Sequence, residues 1–197
     1  MKHQVPLVTE AFCLAESLHR EQVRKSTNIP YLYHLLSVAA LVGEYGGDDR
    51  QVAAALLHDA AEDQGGHAAL EAIEARLGVE VAAYVRACSD SLTMPKQAWR
   101  ARKEAYIDRI AGLAEEVKLI VAADKLHNVR SLLRDYRQAG DALWQRFNGG
   151  RAGTLWYYQT AAAALEESWR HPILDELREV VDRLAAVAGG PELQPDA

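Results

Sequence analysis

From Leu7 onward, apolar residues recur three and four positions apart in segment after segment, and nowhere do they alternate for the length of a strand. A chain patterned in this way buries helix faces against helix faces, so the expected fold is all-α, a helical bundle. Leu7, Ala11, Leu14, Ala15 and Leu18 open a first helix running toward Arg24. "STNIPY" then breaks it, because Pro30 keeps the residue before it extended. A second helix starts near His34 and stops at "YGGDD", where Asp48 or Asp49 caps the next one, which carries "HDAAED". Gly78 separates helices over about 67–77 and 79–90, "SLTMPK" reads as a loop, and Trp99, Tyr106, Ile107, Ile110 and Leu113 trace another helix. A long helix follows over about 115–138. "FNGGRAG" divides it from the aromatic helix "TLWYYQTAAAAL", and a last helix covers about 173–188. Residues 1–188 are thus expected to form one domain, with 189–197, "GGPELQPDA", as a disordered tail.

Composition narrows the possible partners. The 197 residues, 49% apolar and 25% charged, suit one globular domain with a real core. A net charge of −6 provides no general basic surface, so neither nucleic acid nor an anionic membrane is the expected partner. No apolar run approaches the length of a membrane span, and "MKHQVPLVTE" lacks the core of a signal peptide. Cys13 and Cys88 lie in apolar helical patterns without metal spacing. They read as reduced core residues of a cytoplasmic protein. Nothing in the sequence sets an oligomeric state.

The chemistry concentrates in "AALLHDAAED", residues 54–63, where His58, Asp59, Glu62 and Asp63 follow a run of Ala and Leu. Polar groups on a buried helix are costly without partners. In "VKLIVAADKLHNVRSL" the same anomaly recurs: helical spacing continues the stripe of Val117, Ile120 and Val121 to Asp124, Asn128 and Ser131. A divalent metal shared by His58, Asp59 and Asp124 would satisfy all three, and imidazole with carboxylate suits Mn²⁺, Fe²⁺ or Zn²⁺. "YLYHLLSVAALV" offers His34 as a further ligand.

In that order, His34, His58-Asp59 and Asp124, the chain resembles the HD superfamily of metal-dependent phosphohydrolases. It is most similar to the hydrolase domain of RelA/SpoT-type proteins and the small alarmone hydrolases. The matching pieces are "HREQVRKSTNIPYLYH", "AALLHDAAED", "VAADKLHNVRSL" and the aromatic helix, together about residues 10–165. The resemblance implies that His34, His58, Asp59 and Asp124 hold Mn²⁺, with Fe²⁺, Zn²⁺ or Mg²⁺ as alternatives. It implies that Glu62 and Asp63 position or deprotonate the attacking water. Arg24 and Lys25 match a pair that contacts base and phosphates, and Asn128 and Ser131 match positions on the ribose side. Trp156, Tyr157 and Tyr158 are mainly core, with Tyr157 expected to reach the nucleotide pocket. The implied reaction removes the 3′-diphosphate of a small-molecule nucleotide, (p)ppGpp, giving GDP or GTP and pyrophosphate. The chain ends where a synthetase domain would begin in a two-domain member, so hydrolysis alone is expected.

One departure bears on substrate. Where the family often carries a phosphate-contacting lysine, this sequence has Leu92, with Lys96 or Lys103 as candidate substitutes. Two other readings stand beside the first: an HD-type 5′-nucleotidase or other nucleotide pyrophosphohydrolase, and a non-catalytic nucleotide sensor. Intact Glu62 and Asp63 argue against a sensor, which needs no water activator. Arg100, Arg102 and Lys103 read as a solvated helix face, and His127 as a surface or core residue. His3, His19, His67 and His171 have no evident companions.

Overall fold

The structure, a computed structural model, describes residues 6–25, 27–93 and 95–189. In chain order it contains α1 (Leu7–His19), α2 (Leu32–Glu44), α3 (Asp49–Leu57), α4 (Ala60–Asp63), α5 (His67–Leu77) and α6 (Val79–Cys88). Then come α7 (Trp99–Ile110), α8 (Glu115–Ala139), a 3-10 helix (Gly140–Arg146), α9 (Gly150–Ser168) and α10 (Pro172–Gly189). Among the described residues there is no strand, only an isolated bridge between Val23 and Pro30. The tail expected at 189–197 lies outside the described residues except for Gly189, which closes α10. His3 lies outside them as well.

The fold is organised around α8. Every residue from Val117 to Leu126 is buried, so this helix is enclosed on all sides rather than along one stripe. It packs against α2, α3, α6, α9 and α10, while α1 and α2 both lie on α3. Leu35, Leu57, Ile110, Ile120, Leu126, Leu165 and Leu177 are all fully buried in the shared core. Each such side chain contributes about 1.5–3 kcal/mol of transfer free energy. Among the described residues no helix is long and apolar enough to cross a membrane.

Three local expectations are corrected. The first helix stops at His19, not near Arg24. The chain turns because the Gln22 N–H donates to the His19 carbonyl (3.0 Å), and the bridge then takes over, with Arg24 N–H on Ile29 O (2.8 Å) and Tyr31 N–H on Gln22 O (2.9 Å). Arg24 and Lys25 therefore lie on a tight loop. "HDAAED" is likewise not one helix: α3 ends at Leu57 and α4 begins at Ala60. His58 Nδ1 lies 2.8 Å from the Ala55 carbonyl, the group that the Asp59 N–H would use in an unbroken helix. Cys13 is exposed on α1 and is no core residue, while Cys88 is half-buried and both are free.

Turn chemistry places the remaining pieces. Asp48 caps α3 through a capping box with Gln51. Gly66 (φ +58°) follows α4, and a Cβ there would lie 2.5 Å from the Leu92 carbonyl oxygen. Only glycine admits both that backbone and the close passage of the chain at Leu92. After α8, Asp141 accepts hydrogen bonds from Tyr136 Oη (3.0 Å) and Trp144 Nε1 (3.3 Å), tightening residues 140–146 into the 3-10 turn that periodicity did not reveal.

Candidate metal centre

His34 projects from the first turn of α2, His58 and Asp59 from the α3–α4 junction, and Asp124 from the middle of α8. Their ligating atoms converge. His58 Nε2 is 3.0 Å from Asp59 Oδ2 and 3.6 Å from Asp124 Oδ1, and His34 Nε2 is 3.6 Å and 3.3 Å from the same two oxygens. His34, His58 and Asp59 form a cluster with metal-ligand spacing. Both Nε2 atoms are buried and lack a well-formed hydrogen bond. Ligands about 2.0–2.2 Å from one ion would stand about 3 Å apart, close to the separations found. The donor set fits a divalent metal.

The surroundings orient these groups. His58 Nδ1 is held by the Ala55 carbonyl, so that nitrogen carries the proton and Nε2 faces the cluster. His34 Nδ1 lies 2.7 Å from His127 Nδ1. Burial, then the neighbouring His34 and Arg24, push His127 down to about 3, so its ring is neutral. With His34 Nε2 turned to the cluster as a ligand, His34 Nδ1 would carry the proton and donate to His127. His127 is thus a partner of the cluster rather than an incidental residue. Tyr31 Oη donates to Asp59 Oδ2 (2.6 Å), Lys125 Nζ to Asp124 Oδ2 (2.6 Å), and Asn128 Nδ2 to Asp124 Oδ1 (2.5 Å). Burial alone would raise both carboxyls. His58 first for Asp59, and Lys125 first for Asp124, hold them well below the usual range. Burial would lower His58, yet Asp59 and Asp124 outweigh it and raise that ring. Protons and a cation are therefore alternative ways of neutralising this centre.

A cavity of about 540 Å³ opens over the cluster. On its wall Glu62 accepts from Lys96 Nζ and Arg102 Nη1 (3.0 Å each), and Asp63 from Lys96 (3.3 Å) and Gln22 Nε2 (2.9 Å). Burial, then the Asp90 charge, raises the Glu62 carboxyl. Arg102 and Lys103 both donate to Asp90, whose side chain is only 3% exposed. This corrects the solvated-face reading: a buried carboxylate draws the two cations inward, and only Arg100 stays outside, over the Trp156 ring. Lys96 and Lys103 line the cavity, whereas Leu92 is half-buried beside Gly66.

A second cavity of about 380 Å³ shares Lys25, Tyr31, Asn128, Phe147 and Tyr158 with the first. Arg24 and Ser131 line it, and Arg24 Nη2 donates to Asn128 Oδ1 (3.0 Å). Lys25 Nζ stands 5.8 Å from the Phe147 ring centre. Tyr157 lines the larger cavity, with a buried hydroxyl that has no partner among the described residues and with Lys103 Nζ 4.9 Å from its ring centre. All eleven expected site residues thus gather around the cluster or its two cavities. Sequence reasoning missed Gln22, Tyr31, Lys125 and the Asp90 group. Lys125 alone carried a signal, a lysine inside a buried stripe next to Asp124. His19 was also missed: it is buried, bonded to Gln22, and stacked on Tyr31 at 5.6 Å.

The HD-domain family model matches residues 11–155. A probable guanosine-3′,5′-bis(diphosphate) 3′-pyrophosphohydrolase of Synechocystis sp. is 37% identical over 134 residues, 64% of this chain and 17% of that protein. The MESH1 guanosine-3′,5′-bis(diphosphate) 3′-pyrophosphohydrolase of Xenopus tropicalis is 35% identical over 137 residues, 68% of this chain and 74% of its own length. Among solved structures, a metazoan ortholog of SpoT that hydrolyzes ppGpp superimposes with a TM-score of 0.74 at 26% identity. That match covers 93% of this chain and 98% of that one.

Proposed function

The chain belongs to the HD-domain family, and from that premise we propose that it is a metal-dependent hydrolase removing the 3′-diphosphate of (p)ppGpp. The observation that carries this reading is the convergence of His34, His58, Asp59 and Asp124 beneath a cavity whose acids and bases balance. Lys25, Lys96, Arg102, Lys103 and Lys125 face Asp59, Glu62, Asp63, Asp90 and Asp124 there, five cations against five anions. A divalent ion in the cluster tips the wall positive and suits a polyanionic substrate. We assign the ion to Mn²⁺. When bound, it supplies Lewis acidity that activates water and polarises a phosphoryl oxygen.

The protein's own groups do the rest. Glu62, with its raised carboxyl, and Asp63 orient the attacking water and take its proton. Water adds to the phosphorus attached to the 3′ oxygen, the 3′ O–P bond breaks, the proton taken from water passes to the leaving 3′ oxygen, and GDP or GTP and pyrophosphate are released. Lys96 and Lys103, which line the cavity, meet the phosphates in place of the lysine that Leu92 replaces. Arg24, Lys25, Asn128 and Ser131 bind the nucleoside in the smaller cavity, and the unpartnered hydroxyl of Tyr157 donates to substrate. The enzyme acts on a small molecule in the cytoplasm.

Chromatography of products from a nucleotide panel with manganese tests the reading. GDP or GTP plus pyrophosphate is expected from ppGpp and pppGpp. Inorganic phosphate from ordinary 5′-nucleotides, with the alarmones untouched, would replace it with a 5′-nucleotidase.

A further inference from the structure

Behind Asp63 lies a polar chain formed by Gln22, Gln64 and His19. Gln22 Nε2 donates to Asp63 Oδ2 (2.9 Å), while Gln22 Oε1 accepts from Gln64 Nε2 (2.6 Å) and lies 2.6 Å from His19 Nδ1. The order of donors is fixed by chemistry. An ionised carboxylate only accepts, so the amide nitrogen must face Asp63 and the amide oxygen must face His19, whose Nδ1 therefore carries the proton. Burial lowers the His19 ring and keeps it neutral in that role. His19 is itself 1% exposed and stacked on Tyr31, so its position is set by packing. The Gln22 carbonyl also accepts from the Tyr31 N–H. One loop thus carries both the group behind Asp63 and the hydroxyl bonded to Asp59.

We propose that Gln22 is a positioning residue for Asp63, its amide oriented by His19 and Gln64 so that it fixes the carboxylate toward the reacting water. A neutral donor is well matched to that role, since it holds one oxygen without adding a second positive charge beside the one Lys96 already brings to the other. The inference rests on the reading of Asp63 as a water-handling carboxylate.

Steady-state hydrolysis of ppGpp by the manganese-loaded full chain tests it, with metal content and melting temperature recorded for each variant. Gln22→Met keeps the length and removes the amide. It should lower kcat about 10-fold or more while KM and bound metal stay at wild-type values, with a lower melting temperature because the buried His19 N–H loses its acceptor. Gln22→Glu keeps the shape but turns an acceptor toward Asp63, so it should lose at least as much; a packing role would spare it. In the Asp63→Asn background, Gln22→Met should cost nothing further, because the two residues act as one unit. Unchanged kcat in Gln22→Met, or an equal loss in both backgrounds, would overturn the proposal. Should Gln22→Met fail to fold, Gln22→Glu carries the same comparison. Full turnover by Asp63→Asn alone is a separate outcome: it would sink the assignment of Asp63 and the inference with it.

Discussion

Glu62 and Asp63 sit just beyond Asp59, yet neither side chain is among the atoms that converge between the two histidines. Each is instead paired with a cation on the cavity wall. Glu62→Gln and Asp63→Asn should therefore retain the metal by elemental analysis while losing about 10²–10⁴ in turnover. Asp90 is a structural case. Burial works against its charge, but Lys103 and Arg102 hold its carboxyl at about 2, below the ordinary 3.8. A depressed folded-state value contributes stability above about pH 4, which is lost as pH falls through about 2. Asp90→Asn should cost about 2 kcal/mol at neutral pH by urea denaturation, with the gap to wild type closing toward pH 2. The four residues whose side chains converge here, His34, His58, Asp59 and Asp124, stood out in the sequence because each sets a polar group in or beside an apolar helical pattern. Arg102 and Lys103 did not, because their inward turn depends on Asp90, a carboxylate on the segment after α6 that meets them only in the folded chain.

At the scale of elements, the α3–α4 junction depends on where α3 begins. The Asp48 side chain accepts from the Arg50 and Gln51 N–H groups, and the Gln51 side chain reaches back to the Asp48 N–H and also donates to the Glu116 carbonyl. The box thereby ties α3 to the start of α8, the two helices that deliver His58 and Asp124. Asp48→Ala should cost about 1 kcal/mol in urea denaturation, with the wild-type metal site kept. Helix order and most boundaries followed from periodicity and from Gly78 and the Asp48 cap. The break at His58–Asp59 did not, since a side chain competing for a backbone carbonyl leaves no trace in hydrophobic spacing. The early end of α1 was hidden for a similar reason: it is set by a bridge between Val23 and Pro30.

For the whole molecule, the centre joins α2, the α3–α4 junction and α8, elements far apart in sequence, so whatever binds there also holds the core together. A metal bound by the folded state alone, at about 100 times its dissociation constant, adds about 2.7 kcal/mol. For a chain of this size, chelation should then lower the melting temperature by about 5–10 °C. Acid should weaken the metal, because protons compete for His58 and for the carboxylates that raise it. Elemental analysis combined with thermal melting of wild type and Asp124→Ala decides whether the four converging residues hold a metal. One manganese per wild-type chain is expected, with a melting temperature that falls on chelation, and an Asp124→Ala protein that holds no metal and ignores the chelator. An Asp124→Ala protein with full metal content and wild-type melting behaviour would contradict the metal assignment.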